Sequence, residues 1–162
     1  MKYEILKDEF IEFNSRKLYR IKALKDFRDV KEGEFGGYIE SEQNLSQEGN
    51  AWVYGNARVY GNARVSGNAQ VSGNAWVSGN ARVSGNNAIV WFSNVGTENG
   101  TLTVYCSKNG LIATRGCFTG SVEEFLTKSS EVHDEKTKRE YELLIEVARS
   151  RLGEAQGNIE DE

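Results

Sequence analysis

The 162-residue chain contains no proline, one histidine, one methionine and two cysteines. Without proline, every tight turn has to be made by glycine and asparagine. A single histidine excludes a three-histidine metal site built by one chain, and no metal or other cofactor is expected. Cys106 and Cys117 are too few for a disulfide framework, and the opening "KYEILKDEF" is charged throughout, unlike a secretory signal. No apolar run approaches the ~20 residues needed to span a bilayer. The reading is a cytoplasmic protein, in a bacterial host cell, with reduced thiols and no membrane contact. The net charge of −4 argues against general nucleic-acid binding. Charge is uneven, however. Residues 45–88 carry Arg58, Arg64 and Arg82 against Glu48 alone, whereas residues 89–162 hold eight basic and thirteen acidic residues. A locally positive middle in an acidic protein points to a small anionic ligand.

What the chain has in abundance is repetition. "GNARVSGNAQVSGNAWVSGNARVSGN", from Gly61 to Asn86, recurs almost letter for letter every six residues. Gly-Asn-Ala begins at positions 49, 55, 61, 67, 73 and 79, and a valine follows each alanine by two: Val53, Val59, Val65, Val71, Val77 and Val83. A glycine every six residues is poor helix material, and six is the period of hexapeptide β-helices. Alanine and valine, two apart on a short strand, point to the same side and fill the interior. Glycine and asparagine tolerate positive φ and turn the corners. Three strands make a triangular coil of eighteen residues, and coils stack at the ~4.8 Å inter-strand spacing. Ile39 and Leu45 fall in the alanine slot, which places the start of the regular part near residue 39.

The hexads resemble those of left-handed parallel β-helices. Together with "LYRIKALKDF", "EGEFGGYIESEQNLSQEGNAWVYGNARVYGNA" and "GCFTGSVEEF", they resemble a family of small phage and prophage proteins over nearly the whole chain. Genes of this family are often labelled transferases or polymer-forming proteins. The resemblance implies a left-handed coil and a homo-oligomer, most often a trimer with parallel axes.

The expected fold is mainly β. Residues 1–38 form an N-terminal β cap, with a hairpin turning at Asn14-Ser15-Arg16, and residues 39–88 form the β-helix. Residues 89–120 form a β-meander of three strands, "AIVWF", "TLTVYC" and "LIATRGCF". Residues 121–152 form a helical segment, begun by the capping box Ser121-Val122-Glu123-Glu124. Its second helix, from about Asp134 to Leu152, aligns Tyr141, Leu144, Ile145, Ala148 and Leu152 on one face. Residues 153–162 are expected to be an acidic disordered tail.

Chemistry has room only at the variable positions of the hexads. Between alanine and valine stand Trp52, Arg58, Arg64, Gln70, Trp76 and Arg82, all expected to point outward; Tyr54 and Tyr60 follow valines. The eighteen-residue coil sets Trp52 over Gln70, Arg58 over Trp76, Arg64 over Arg82, Tyr54 over Ser72 and Tyr60 over Ser78. Guanidinium for phosphate and indole or phenol for base would suit a nucleotide-like anion. The plainer alternative is that the arginines keep the prism soluble and the aromatics pack against caps or other subunits. The candidate ligand-binding set is Arg58, Arg64, Trp76, Arg82, Trp52, Tyr54 and Tyr60.

Hexapeptide acyltransferases rely on a histidine base, often on a loop interrupting the coils; here the repeats are uninterrupted and His133 lies outside them. A Cys117–His133 nucleophile–base pair is the weaker catalytic alternative, with His133 as a helix-capping residue the plainer one. Arg115 and the glycines of "TRGCFTGSVEEF" read as a tight turn feeding a capped helix, because Glu123 and Glu124 would repel an anion there. Three classes of function follow, in this order. First stands a non-enzymatic phage binding protein that sequesters a nucleotide-derived ligand, such as a host immune signal, as an anti-defence sponge. A structural or assembly protein comes next, and a hexapeptide-repeat acyltransferase last.

Overall fold

The computed structural model describes residues 1–116 and 118–152. Cys117 and the expected acidic tail at 153–162 lie outside the described residues.

The hexads form a three-walled coil. Wall A stacks β3 (Phe35–Ile39), β5 (Arg58–Val59) and β8 (Trp76–Val77). Wall B stacks Leu45 on β6 (Arg64–Val65) and β9 (Arg82–Val83). Wall C pairs β4 (Trp52–Val53) with β7 (Gln70–Val71). Each pairing is parallel and one coil apart, with amide-to-carbonyl bonds such as Arg58 to Ala75 at 3.0 Å and Arg64 to Ala81 at 3.1 Å. The interior alanines and valines, Ala51 to Val83, are all at most 1% exposed. Burying each valine contributes roughly 1.5–3 kcal/mol. The corner glycines of all six hexads lie at φ between 57° and 73°, where a side chain would be strained.

The first coil departs from the expected register. Ile39 pairs with Val59, and Leu45 with Val65, so both occupy the valine slot rather than the alanine slot. Gly37 therefore stands where alanine recurs. A Cβ there would come within 2.5 Å of the Ala57 carbonyl. Two extra residues between Leu45 and Val53 absorb the shift.

At the N-terminal end, β1 (Tyr3–Phe13) and β2 (Arg16–Ala23) form a hairpin whose turn residues, Asn14 and Ser15, both have positive φ. Such a turn matches the twist of the strands it joins. The hairpin continues wall A: β2 pairs antiparallel with β3, giving a five-stranded sheet. Tyr3, Ile21, Phe27 and Val30 carry the core past the first coil. Lys2 is buried there, and its ammonium donates to the Ala51 carbonyl at 2.7 Å.

At the other end a four-stranded antiparallel meander follows: β10 (Ile89–Val95), β11 (Gly100–Ser107), β12 (Gly110–Arg115) and β13 (Phe118–Ser121). The sequence suggests three strands; the antiparallel pairing of Phe118–Ser121 with Ile112–Arg115 makes a fourth. The meander covers the open edge of β8. The Trp76 amide donates to the Thr103 hydroxyl (3.2 Å), the Thr114 hydroxyl donates to the Trp76 carbonyl (2.7 Å), and the Tyr105 hydroxyl accepts from the Ser78 amide and donates to its carbonyl (3.1 and 3.0 Å). Backbone groups that would otherwise invite another strand are thereby satisfied.

Helices α1 (Val122–Val132) and α2 (Glu135–Leu152) pack on the meander. Ser121 and Glu124 form the reciprocal capping box of α1. Tyr141, Ile145, Ala148 and Leu152 of α2 are buried in the shared core, with Leu144 packed at its margin. No helix among the described residues is long and apolar enough to cross a membrane.

Candidate functional site

The coil fixes the height of each outward residue, and the end segments decide which of them meet solvent. In wall C, Trp52 stands over Gln70 as the spacing requires. Its indole is 1% exposed, however, enclosed by Tyr3 and Phe27 at ring-centroid distances of 6.1 and 5.2 Å. The expectation of a solvent-facing Trp52 is corrected: the N-terminal segment makes it core. Tyr54 nearby donates to the Asp29 carboxylate (3.0 Å) and accepts from Gln70 (3.2 Å), and burial raises the pKa of its phenol.

In wall A, Tyr38, Arg58 and Trp76 stand in register on successive coils. The Arg58 guanidinium lies 4.7 Å from the Trp76 ring and 5.1 Å from that of Phe13. Phe13 belongs to the tip of the β1–β2 hairpin, which folds over the wall and also covers Tyr60 at 5.4 Å. Tyr60 is 7% exposed, so it supports this face from beneath rather than offering a surface to a ligand. Packed against two rings that also touch each other, Arg58 keeps its Nε buried without a hydrogen-bond partner. Arg58 also lines the neighbouring pocket.

That pocket has a volume of about 480 Å³, and Tyr38, Arg58, Trp76, Thr101 and Arg115 line it. Sequence reasoning assigned Arg115 to a structural turn. In the fold, its guanidinium is seated against Gly96 and Gly100 of the β10–β11 turn. A Cβ on Gly100 would come within 2.6 Å of it. Its Nε donates to the Tyr141 hydroxyl at 3.0 Å. Its carboxylate neighbour, Glu98, is 4.0 Å away and 83% exposed, so neutralisation is weak. Arg115 is thus a held, mostly buried cation with two glycines making room for it. The only sequence signal was the pair of glycines flanking "TEN", and nothing local ties them to residue 115.

In wall B, Arg64 and Arg82 stack in register as expected. They line a separate cleft of about 730 Å³ together with Lys108, Glu42 and the serines that follow the wall's buried residues. The seven expected ligand residues therefore divide among three walls. Arg58 and Trp76 meet; Arg64 and Arg82 meet; Trp52 and Tyr60 are covered, and Tyr54 sits apart beside Asp29.

His133 caps the C-terminus of α1. Its Nδ1 lies 2.9 Å from the Ser129 hydroxyl and its ring 5.4 Å from that of Tyr141. It lines a pocket of about 270 Å³ with Phe118, Phe125 and Lys128, outside the coil. The suggested partner Cys117 is outside the described residues. Among the described residues, no cluster of three or more histidine, cysteine or carboxylate side chains is placed to hold a metal.

A family model described as "YdcK Beta solenoid repeat" matches residues 51–67, 57–73 and 69–85. The hexads are a β-solenoid repeat. Over 37 residues the chain is also 51% identical to a protein of Escherichia coli (strain K12) named "Uncharacterized acetyltransferase YdcK". That match covers 23% of this chain and 11% of the relative's length. The family-model match rests on the hexads; for the hairpin, the meander and the helices the fold itself is the guide.

Proposed function

We propose that this solenoid is a non-enzymatic binding protein for a small, anionic, nucleotide-derived ligand, and that the wall A pocket holds it. One observation supports this above the others. Arg58, held over the Trp76 ring, and Arg115, seated on Gly96 and Gly100, line the same pocket as the Tyr38 and Trp76 rings. Two fixed guanidiniums suit a phosphate, and aromatic side chains suit a planar base. Arginines already positioned by packing lose less entropy on binding.

The biological reading is sequestration of a nucleotide-derived host signal by a phage-derived protein in the bacterial cytoplasm. The coil is taken as left-handed and the assembly as a homotrimer; these points rest on the resemblance of the hexads and flanking motifs. Calorimetry of the full chain against cyclic nucleotides and ADP-ribose derivatives tests the proposal. One of them binds, and Arg58→Ala and Arg115→Ala each weaken it at least tenfold with circular dichroism unchanged. A folded protein that binds none of the panel overturns it.

The name of the E. coli relative supports a second reading, acetyl transfer. Coenzyme A is itself a nucleotide-derived anion, so binding alone does not separate the two. Turnover of acetyl-CoA followed by mass spectrometry does, and its loss in His133→Ala would place the base.

A further inference from the structure

We infer that the wall B cleft is a second ligand site, distinct from the wall A pocket, and that it takes a short linear oligophosphate chain with no requirement for an aromatic group. Arg64 and Arg82 are locked one coil apart by parallel pairing, about 4.8 Å at the inter-strand spacing. Like charges in register repel unless an anion lies between them. Among the described residues, no carboxylate is within salt-bridge distance of Arg64, Arg82 or Lys108.

Lys108, on the β11–β12 turn, adds a third cation to the same cleft. The other end of the column is closed by Asn44, the residue in register with Arg64 on the first coil. Its amide is consumed by the Gly61 and Ala63 carbonyls, at 3.2 and 2.9 Å, so the column ends on a neutral, satisfied group. Arg64 and Arg82 therefore follow the coil axis with Lys108 to one side and Glu42 near the first coil, and a chain of linked phosphates presents charges along a line in the same way. Guanidinium is well suited to phosphate because its N–H groups match two oxygens at once. Ser46, Ser66 and Ser84 line the same cleft and add hydroxyl donors along it. No aromatic side chain lines the cleft, which separates this inference from the nucleotide reading of wall A.

Inorganic tripolyphosphate is the probe, titrated calorimetrically into the full chain. It binds with one site per chain, at least tenfold more tightly than orthophosphate, and more weakly as salt rises. Adenosine, planar and uncharged, does not displace it. Arg64→Ala with Arg82→Ala weakens it at least tenfold, and Lys108→Ala, on an exposed turn, weakens it severalfold without touching the coil. Any of three results overturns the inference: no binding by the folded chain, affinity equal to that for orthophosphate, or affinity unchanged in both variants. A change of oligomeric mass in the double variant would assign the face to a neighbouring copy instead, and would also overturn it.

Discussion

Trp52 and Trp76 hold the same slot of two hexads on different walls, yet one is core and the other lines a pocket. The difference is imposed by residues outside the repeat: Tyr3 and Phe27 enclose the first, whereas the hairpin tip meets the second at the edge through Phe13. Trp52→Ala is therefore expected to destabilise the fold by about 3–5 kcal/mol, read from urea unfolding. Trp76→Ala is expected to cost less and to act on ligand affinity. Gly37 makes the complementary point. Its lack of a side chain is required by the Ala57 carbonyl and the Val53 side chain, and Gly37→Ala should cost about 1–3 kcal/mol in the same measurement. Lys2 supplies a pH signature. Burial, aided by Lys25, lowers its pKa to about 8. The unfolded chain then holds the proton more tightly than the folded one between pH 8 and the ordinary lysine range, so stability from this group rises across that window. Tyr105 works in the opposite direction. Burial pushes its phenol up to about 12, so stability is lost as pH climbs from 10, where the unfolded phenol ionises. Midpoints of unfolding should pass through a maximum between these limits, and Lys2→Met should flatten the rising side.

Among the elements, those written in local chemistry were readable from the sequence. The hexads declared their interior through the alanine–valine spacing, the Asn14-Ser15 turn declared a hairpin, and Ser121 with Glu124 declared the start of α1. The missed features depend on contacts between segments far apart. Ile39 and Leu45 keep the six-residue beat, so only pairing with Val59 and Val65 shows that the first coil is shifted by two residues. The fourth meander strand depends on the pairing of β13 with β12, and the seat of Arg115 on the pairing of β12 with β11, which only the assembled sheet defines. Two substitutions test element integrity. Ser15 sits at φ 63°, and Ser15→Gly should stabilise the hairpin by about 0.5–1 kcal/mol by relieving the side-chain penalty, visible as slower amide exchange in β1 and β2. Tyr105→Phe removes the hydroxyl that serves both backbone groups of Ser78, and leaving them buried and unpaired should cost about 1–3 kcal/mol. Exchange should quicken first along β8.

For the molecule as a whole, the separation of the arginines among walls replaces a single composite site with two chemically different faces. Wall A joins cations to rings under the hairpin tip, and wall B sets three cations among serines and Glu42 with no aromatic side chain. Static light scattering is expected to give a trimer at micromolar concentration, and a monomeric mass would remove the assembly expectation. The three-point latch of Thr103, Tyr105 and Thr114 on β8 has a wider implication. Because the outer bonding groups of β8, the last strand of wall A, are answered by hydroxyls of the same chain, a second molecule finds no vacant rung on that wall, and electron microscopy is expected to show discrete particles rather than fibres. The number of storeys is then set by where the roof attaches, not by any property of the bricks. Inserting one additional eighteen-residue copy of the hexads between Ser66 and Gly67 should give a taller, still discrete particle with an extra row of outward groups on every wall.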